Sequence, residues 1–195
     1  WLRFYSALSS TFTVLLVYLI TKELFKNVQT RFVSARQAGY ITALSAVFTP
    51  GLIQTAHFGT TESLLTFFFL ATMYFSLKLL EDQPVVIKNL SLTKYRIYGI
   101  LSIIIGLSLG SKLTGIFFFI PPLDALIIRT IKLSSLKNRK AIISGLFENL
   151  RISLLVFIGS ILFFILSSPY NLKEMQNFQS AVFGYETDVA TGKYD

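Results

Sequence analysis

The sequence predicts an all-α, polytopic bundle of about six transmembrane helices, and three observations carry that prediction. Hydrophobic residues fill 53% of the 195 positions, and the mean hydropathy is +0.62. Charged residues make up only 14%, against about 25% in soluble domains. The apolar residues are gathered into runs separated by short basic segments, as in chains that cross a bilayer with cationic cytoplasmic loops. The net charge of +8 does not point to nucleic acid, because the lysines and arginines lie between apolar runs rather than among exposed aromatics. There is no cysteine, which excludes disulfides and thiolate metal sites.

Residues 99–128 fix the threading. The run is apolar almost throughout, with one lysine, Lys112, inside the interruption Gly110-Ser111-Lys112-Leu113-Thr114-Gly115. A span needs roughly 20 apolar residues, so this run is too long for one ordinary crossing and barely long enough for two. Lys94 and Arg96 precede it, and Arg129, Lys132, Lys137, Arg139 and Lys140 follow it. Both flanks favour the cytoplasmic side, so the chain is expected to cross, turn at Lys112 and cross back.

The other elements follow in order. Residues 5–20 form the first span, followed by an inner loop with Lys22, Lys26, Arg31 and Arg36 against Glu23. Residues 37–54 cross outward, with Pro50-Gly51 breaking or kinking the helix near its outer end. After a turn at 55–62, residues 63–80 return inward through a phenylalanine-rich run. A second inner loop holds Lys78, Lys88, Lys94 and Arg96. The hairpin follows, then a third inner loop ending at Arg151, and residues 152–166 exit. Fourteen of the 18 basic residues then lie inside, and only Arg3, Lys112, Lys173 and Lys193 lie outside. The outer side also receives Glu62, Glu174, Glu186, Asp188 and Asp195. Two regions result: a transmembrane domain over 1–168, and the start of an external amphipathic helix over 169–195. Ser168-Pro169 provides the start signal for the latter, and Leu172, Met175, Phe178, Val182, Tyr185 and Val189 recur on one face. The chain starts at Trp1 and stops at Asp195 without terminal signals, and is read as an internal piece of a longer protein.

Three polar features stand out at the outer rim. Lys112, between Gly110 and Gly115, is a compact positive charge suited to a phosphate; the plainer reading is a snorkelling lysine. Glu62 opens a span, where the helix dipole favours an acid, yet a carboxylate at a membrane boundary is costly when a threonine would cap as well. His57 lies in the turn before it, and its plainer reading is an interfacial histidine. Glu186 and Asp188 are ordinary for a solvated loop.

In their order and spacing these residues resemble a known family. Arg3, Ser6 and Ala7 open a span, and His57 to Glu62 opens the third. Gly106-Leu-Ser-Leu-Gly-Ser-Lys112-Leu-Thr-Gly precedes Pro121-Pro122, and Ser168-Pro169-Tyr170 precedes a helix containing Tyr185-Glu186. Together they are similar to the family-39-type glycosyltransferases of the GT-C class, relatives of protein O-mannosyltransferases and of the aminoarabinose transferases of lipid A. The resemblance implies a multi-pass enzyme that transfers a sugar, with inversion, from a polyprenyl-phosphate donor to an acceptor protein, lipid or glycan on the non-cytoplasmic face. The membrane would be the plasma membrane in a prokaryote or the endoplasmic reticulum in a eukaryote. It implies catalytic roles for Glu62 and His57, with Glu62 as a second carboxylate orienting hydroxyls. Lys112 would bind the donor phosphate, with Arg3 and Glu186 as further substrate contacts. The catalytic base would lie in an external loop before Trp1. No cofactor is implied beyond the donor, and no metal cluster is visible; a divalent metal shared with residues beyond this chain stays an open alternative. The donor's tail needs an apolar groove, whose wall the short phenylalanine-rich helices are expected to supply. The rival readings are a transporter or flippase for lipid-linked sugars and a non-catalytic scaffold subunit. Single cysteines at Ser111, Ser135 and Ser180, probed with an impermeant thiol reagent on intact cells, test the threading: labelling is expected at 111 and 180 only, and labelling at 135 would overturn it.

Overall fold

A computed structural model describes residues 1–26, 33–80, 85–87, 90–92, 94–134 and 139–174, together with 176, 180, 184 and 191–192. The elements are α1 (Leu2–Leu24), α2 (Ala35–Val47), α3 (Pro50–Phe58), α4 (Thr61–Leu79), β1 (Val85–Ile87), β2 (Leu90–Leu92), α5 (Lys94–Ser111), a 3₁₀ helix (Leu113–Phe119), α6 (Ile120–Ser134), α7 (Arg139–Ser167) and α8 (Tyr170–Lys173). The all-α bundle expected from the sequence is present. The small antiparallel hairpin of β1 and β2, with Val86 opposite Ser91, is an addition to it.

Local chemistry sets the ends of α2 and α3. Ser34 opens α2 with a capping box: its hydroxyl accepts from the Gln37 N–H, and the Gln37 side chain accepts from the Ser34 N–H at 2.9 Å. Thr49, the residue before Pro50, is forced out of the helical region to ψ 116. The break predicted at Pro50 therefore divides the second crossing into helices of 13 and 9 residues. Gly59 ends α3 at φ +66, a conformation glycine adopts without the cost of a Cβ.

The expectation of six complete spans is corrected in one respect. Among the described residues, four helices are long and apolar enough to cross a membrane: Leu2–Leu24, Thr61–Leu79, Leu113–Ile131 and Gly145–Ser167. The proline break leaves neither α2 nor α3 long enough alone, and Tyr95–Ser111 is a shorter apolar helix. Many basic residues assigned to loops lie instead on helical turns that outrun the apolar core. Lys22 belongs to α1, Lys78 to α4, and Arg139 and Arg151 to α7. With 29 residues, α7 is about 44 Å long and exceeds the roughly 30 Å hydrocarbon layer. The external amphipathic helix is represented by the four residues of α8, and most of the sequence that suggested it lies outside the described residues.

Helix α5 is the central member, packed on α4, α7 and the 3₁₀ helix. Its apolar stripe Ile97, Leu101 and Ile105 is fully buried, with Leu79, Ala125, Ile152 and Val156 around it. A second cluster joins Leu16 and Ile20 of α1 to Ala71 and Tyr74 of α4. The α5–α7 seam is built from small residues. A Cβ on Gly106 would lie 2.5 Å from Phe163 Cβ and 2.6 Å from the Ser160 carbonyl oxygen. One on Gly159 would lie 2.7 Å from Ser102 Oγ. The contacts advance together along both helices, so α5 and α7 run parallel at backbone contact, as membrane helices do through small residues. The buried hydroxyls in the seam are satisfied locally: Ser102 donates to the Tyr98 carbonyl at 2.9 Å and Ser160 to the Val156 carbonyl at 2.7 Å.

Gly106→Ala is expected to destabilise the protein by about 1–3 kcal/mol through overpacking, because the opposing atoms are backbone and Cβ and cannot swing away. Gly99→Ala, with nothing within 4 Å of its Cβ, is expected to be neutral or stabilising by up to about 1 kcal/mol. Thermal unfolding of the detergent-solubilised protein measures both, and an unchanged midpoint for Gly106→Ala contradicts the seam.

Candidate functional site

The bundle has two polar ends, and the sequence-predicted groups lie at one of them. At the opposite end, Lys78 of α4 is buried and paired with Glu23 of α1. There too Thr42 donates to Thr21 at 2.9 Å, and Arg129 stands 3.7 Å from Glu148. At the candidate end the start of α1 meets the α3–α4 corner. Ser6 donates its hydroxyl to the Thr60 carbonyl at 3.1 Å. The αL turn at Gly59 brings the backbone against Arg3, close enough that a Cβ on Gly59 would lie 3.2 Å from the Arg3 nitrogen. Thr60 is the extended N-cap of α4, and Glu62 stands in the first turn beyond it, with the unsatisfied N–H groups of the helix start beneath it.

Lys112 is placed from the other side. It is extended, at φ −160 and ψ 139, between α5 and the 3₁₀ helix. Its N–H donates to the Ser108 carbonyl at 2.9 Å, and its carbonyl accepts from the Gly115 N–H at 2.9 Å. Both flanking glycines are needed by packing. A Cβ on Gly115 would lie 2.7 Å from the Ser108 carbonyl carbon, and one on Gly110 would lie 3.1 Å from Ser167 Cβ and overlap its hydroxyl. The turn is thus pressed onto α5 and the end of α7.

The two halves meet in an ion pair. Lys112 Nζ lies 3.5 Å from Glu62 Oε1, across 50 residues of sequence, and the two side chains are 48% and 49% exposed. Exposed pairs of this kind contribute about 0–1 kcal/mol, so stability alone gives little reason for them. The ammonium keeps donors and the carboxylate keeps acceptor positions for a ligand.

The other predicted residues are less tightly bound into this arrangement. His57 is exposed on the last turn of α3, with Nδ1 3.3 Å from the carbonyl oxygen of Ile53 on its own helix; the structure does not join it to Glu62 by a hydrogen bond. Arg3 is exposed beside Gly59 and makes no ion pair among the described residues. Glu186, with Asp188, lies outside the described residues. Among the described residues no group of three His, Cys, Asp or Glu side chains could hold a metal ion.

An apolar groove of about 370 Å³ adjoins this end. It lies where the α2–α3 break faces α1, running from Ala7 and Ala56 past Ser10 and Leu52 to Val14 and Val47. The walls of this groove come from α1, α2 and α3, where the proline break opens the space, and the phenylalanine-rich run of α4 does not line it. Sequence reasoning also passed over Asp124, an acid inside an apolar run and within the candidate span Leu113–Ile131. It likewise did not pair Glu23 with Lys78. For Asp124 the signal was available, since an ionisable residue within a span marks a site by default. The Glu23–Lys78 pair depends on a helix contact across 55 residues.

Among curated proteins and among solved structures no match was found. The family model described as dolichyl-phosphate-mannose-protein mannosyltransferase matches residues 1–163, which take in Arg3, His57, Glu62, Lys112 and nearly all of α7. With most of its length matched, and with the apolar helices such a protein requires, the chain belongs to the dolichyl-phosphate-mannose-protein mannosyltransferase family, membrane glycosyltransferases of the GT-C type.

Proposed function

We propose that this chain carries the donor-phosphate side of a membrane glycosyltransferase that moves a sugar from a polyprenyl-phosphate carrier to an acceptor on the non-cytoplasmic face, with inversion. The observation that carries the reading is the half-exposed Lys112–Glu62 pair, 3.5 Å apart. In the reaction the bond between the anomeric carbon and the phosphate oxygen breaks, and a bond to the acceptor oxygen forms on the opposite face. The acceptor proton passes to a base, which the family resemblance assigns to an external loop ahead of Trp1. The leaving phosphate gains negative charge as its bond breaks. An ammonium already in place stabilises that charge more in the transition state than in the ground state. Lys112 has three N–H donors and can share them between Glu62 and the phosphate. Glu62, held by Lys112 and the helix start, accepts hydrogen bonds from sugar or acceptor hydroxyls.

Arg3 and His57 border the same corner, Arg3 as a second positive charge for the phosphate and His57 as a group facing the acceptor side. Glu186 is proposed as a further substrate contact. The groove below Ala7 and Ala56 takes the first isoprene units of the carrier, since it begins one helical turn from Arg3. Within the wider family the geometry suits the protein O-mannosyltransferase and aminoarabinose transferase chemistries equally, because both release a polyprenyl phosphate. Family membership favours the transferase over the transporter and scaffold readings.

Lys112→Met keeps the stem and removes the charge. It is expected to lower transfer about 10²–10³-fold, about 2.7–4 kcal/mol by analogy with an oxyanion-hole donor, and to weaken donor binding. Lys112→Arg is expected to recover part of the activity, since a broad planar fork replaces a compact ammonium in a glycine-lined turn. Sugar transfer by purified full-length protein, with donor binding followed separately, is the measurement; full activity and unchanged donor affinity in Lys112→Met would falsify the phosphate role.

Glu62→Gln is expected to leave the unfolding temperature within a degree or so, as an exposed pair predicts, while turnover falls. With Lys112→Met it should combine less than additively, since the two groups act as one unit. Wild-type turnover in Glu62→Gln would reduce Glu62 to a helix-start charge.

A further inference from the structure

Glu62 and Lys112 reach each other from different helices, yet the pair does not hold itself in place. Both side chains are half exposed, and an exposed pair gains too little to fix two long side chains in one geometry. The position of each charge is therefore set by its backbone. Lys112 is held by the packing of its turn onto α5 and α7. For Glu62 the holding contact comes from Ser6. Residues 1–5 are exposed, and Ser6, at 4%, is the first buried residue of α1. Its hydroxyl crosses to the Thr60 carbonyl, 54 residues away, at 3.1 Å. Other hydroxyls of the same two helices turn back on their own backbone: Thr11 donates to Ala7, Thr66 to Glu62 and Thr72 to Phe68. Ser6 has the Leu2 carbonyl at the same spacing and bonds to Thr60 instead. Thr13 and Ser63, each 1% exposed, make no hydrogen bond through their hydroxyls among the described residues. Among those residues, Ser6 thus provides the hydroxyl link between α1 and the start of α4.

The link acts where it bears on Glu62. Thr60 is the extended N-cap of α4. The peptide joining Thr60 to Thr61 is planar, so holding the Thr60 carbonyl holds the first peptide plane of the helix, and Glu62 is the next residue. The Thr60 hydroxyl does not cap the helix; it and the Glu62 N–H are donors toward the Glu62 carboxylate. Gly59 makes the link possible. A Cβ there would lie 3.2 Å from the Arg3 nitrogen and 3.4 Å from the Leu2 carbonyl carbon. Only glycine lets the corner come this close to the first turn of α1, where Ser6 can reach it. We propose that Ser6 is a positioning residue: through Thr60 it aims the Glu62 carboxylate at Lys112 and the reacting hydroxyls, without touching substrate. This rests on the role proposed for Glu62.

The test is a double-mutant cycle on Ser6→Ala and Glu62→Gln in the full-length protein, in native membranes that supply the acceptor. Turnover is followed as release of dolichyl phosphate from dolichyl-phosphate mannose, the donor named in the family's description. Ser6→Ala is expected to fold, because alanine is the stronger helix former and Thr60 is exposed, so its carbonyl finds water when the serine is lost. kcat is expected to fall about 3–10-fold, the contribution of one hydrogen bond. The KM for the donor should stay within about twofold, since the phosphate contact belongs to Lys112. In the Glu62→Gln background the same change should alter kcat by less than about twofold. A serine with only a structural role would lower the amount of folded protein and leave kcat per folded molecule unchanged, or cost the same factor in both backgrounds; either result overturns the proposal. Full kcat in Ser6→Ala, in a protein that Glu62→Gln impairs, overturns it while leaving the role of Glu62 standing. Full kcat in Glu62→Gln removes the role of Glu62 itself, and this proposal with it.

Discussion

Backbone contact between α5 and α7 decides where the turn at Lys112 can sit. Ser102, Gly106 and Gly110 on α5 meet Gly159, the Ser160–Phe163 turn and Ser167 on α7, leaving no room for a larger side chain at any of the three glycines. In a bilayer such packing replaces the hydrophobic effect, which gives no preference between a helix neighbour and a lipid tail. Because the contact continues to Ser167, the last residue of α7, it holds the end of α5 in place. The 3₁₀ helix then folds back, with Gly115 against Ser108. Lys112 is left extended at the top of this packing, with its side chain directed to the start of α4.

The second constraint comes from α1. Its start is tied to the α3–α4 corner by Ser6, Thr60 and Gly59, and its other end is tied to α4 through Glu23 and Lys78. Helices α1 and α4 therefore run parallel and in register, which holds Glu62 at the level of Arg3. The two ion pairs serve different purposes. In the Glu23–Lys78 pair Lys78 is buried and Glu23 part-buried; breaking such a pair strands a largely desolvated charge and is costly, so it acts as a clamp. The Glu62–Lys112 pair is half exposed and contributes little to stability, so its charges remain available to a ligand.

The split second crossing links fold to chemistry in a similar way. Pro50 removes a donor and displaces Thr49 from the helix. The resulting gap between α2 and α3 forms an apolar groove against α1, immediately below the charged corner. A continuous helix would have closed it. The same corner thus combines the half-exposed Lys112–Glu62 pair with an adjoining apolar groove, the two features on which the proposed lipid-phosphate donor would draw.

Local patterns made much of this protein legible in its sequence. The apolar runs and their basic flanks determined an all-helical membrane bundle and the alternating direction of its segments, because charge and hydropathy act at each position without help from distant residues. The break at Pro50, the turn at Lys112 and the place of Glu62 at a helix start were likewise set by proline, glycine and helix-terminus chemistry. Tertiary packing decided the rest. It drew Lys112 to within 3.5 Å of Glu62, buried Lys78 against Glu23 and left His57 on its own helix. None of these follows from periodicity, since each depends on which faces of two helices meet and at what height. That meeting is set by where small residues allow backbones to touch, and a sequence records those residues without recording which helix they touch.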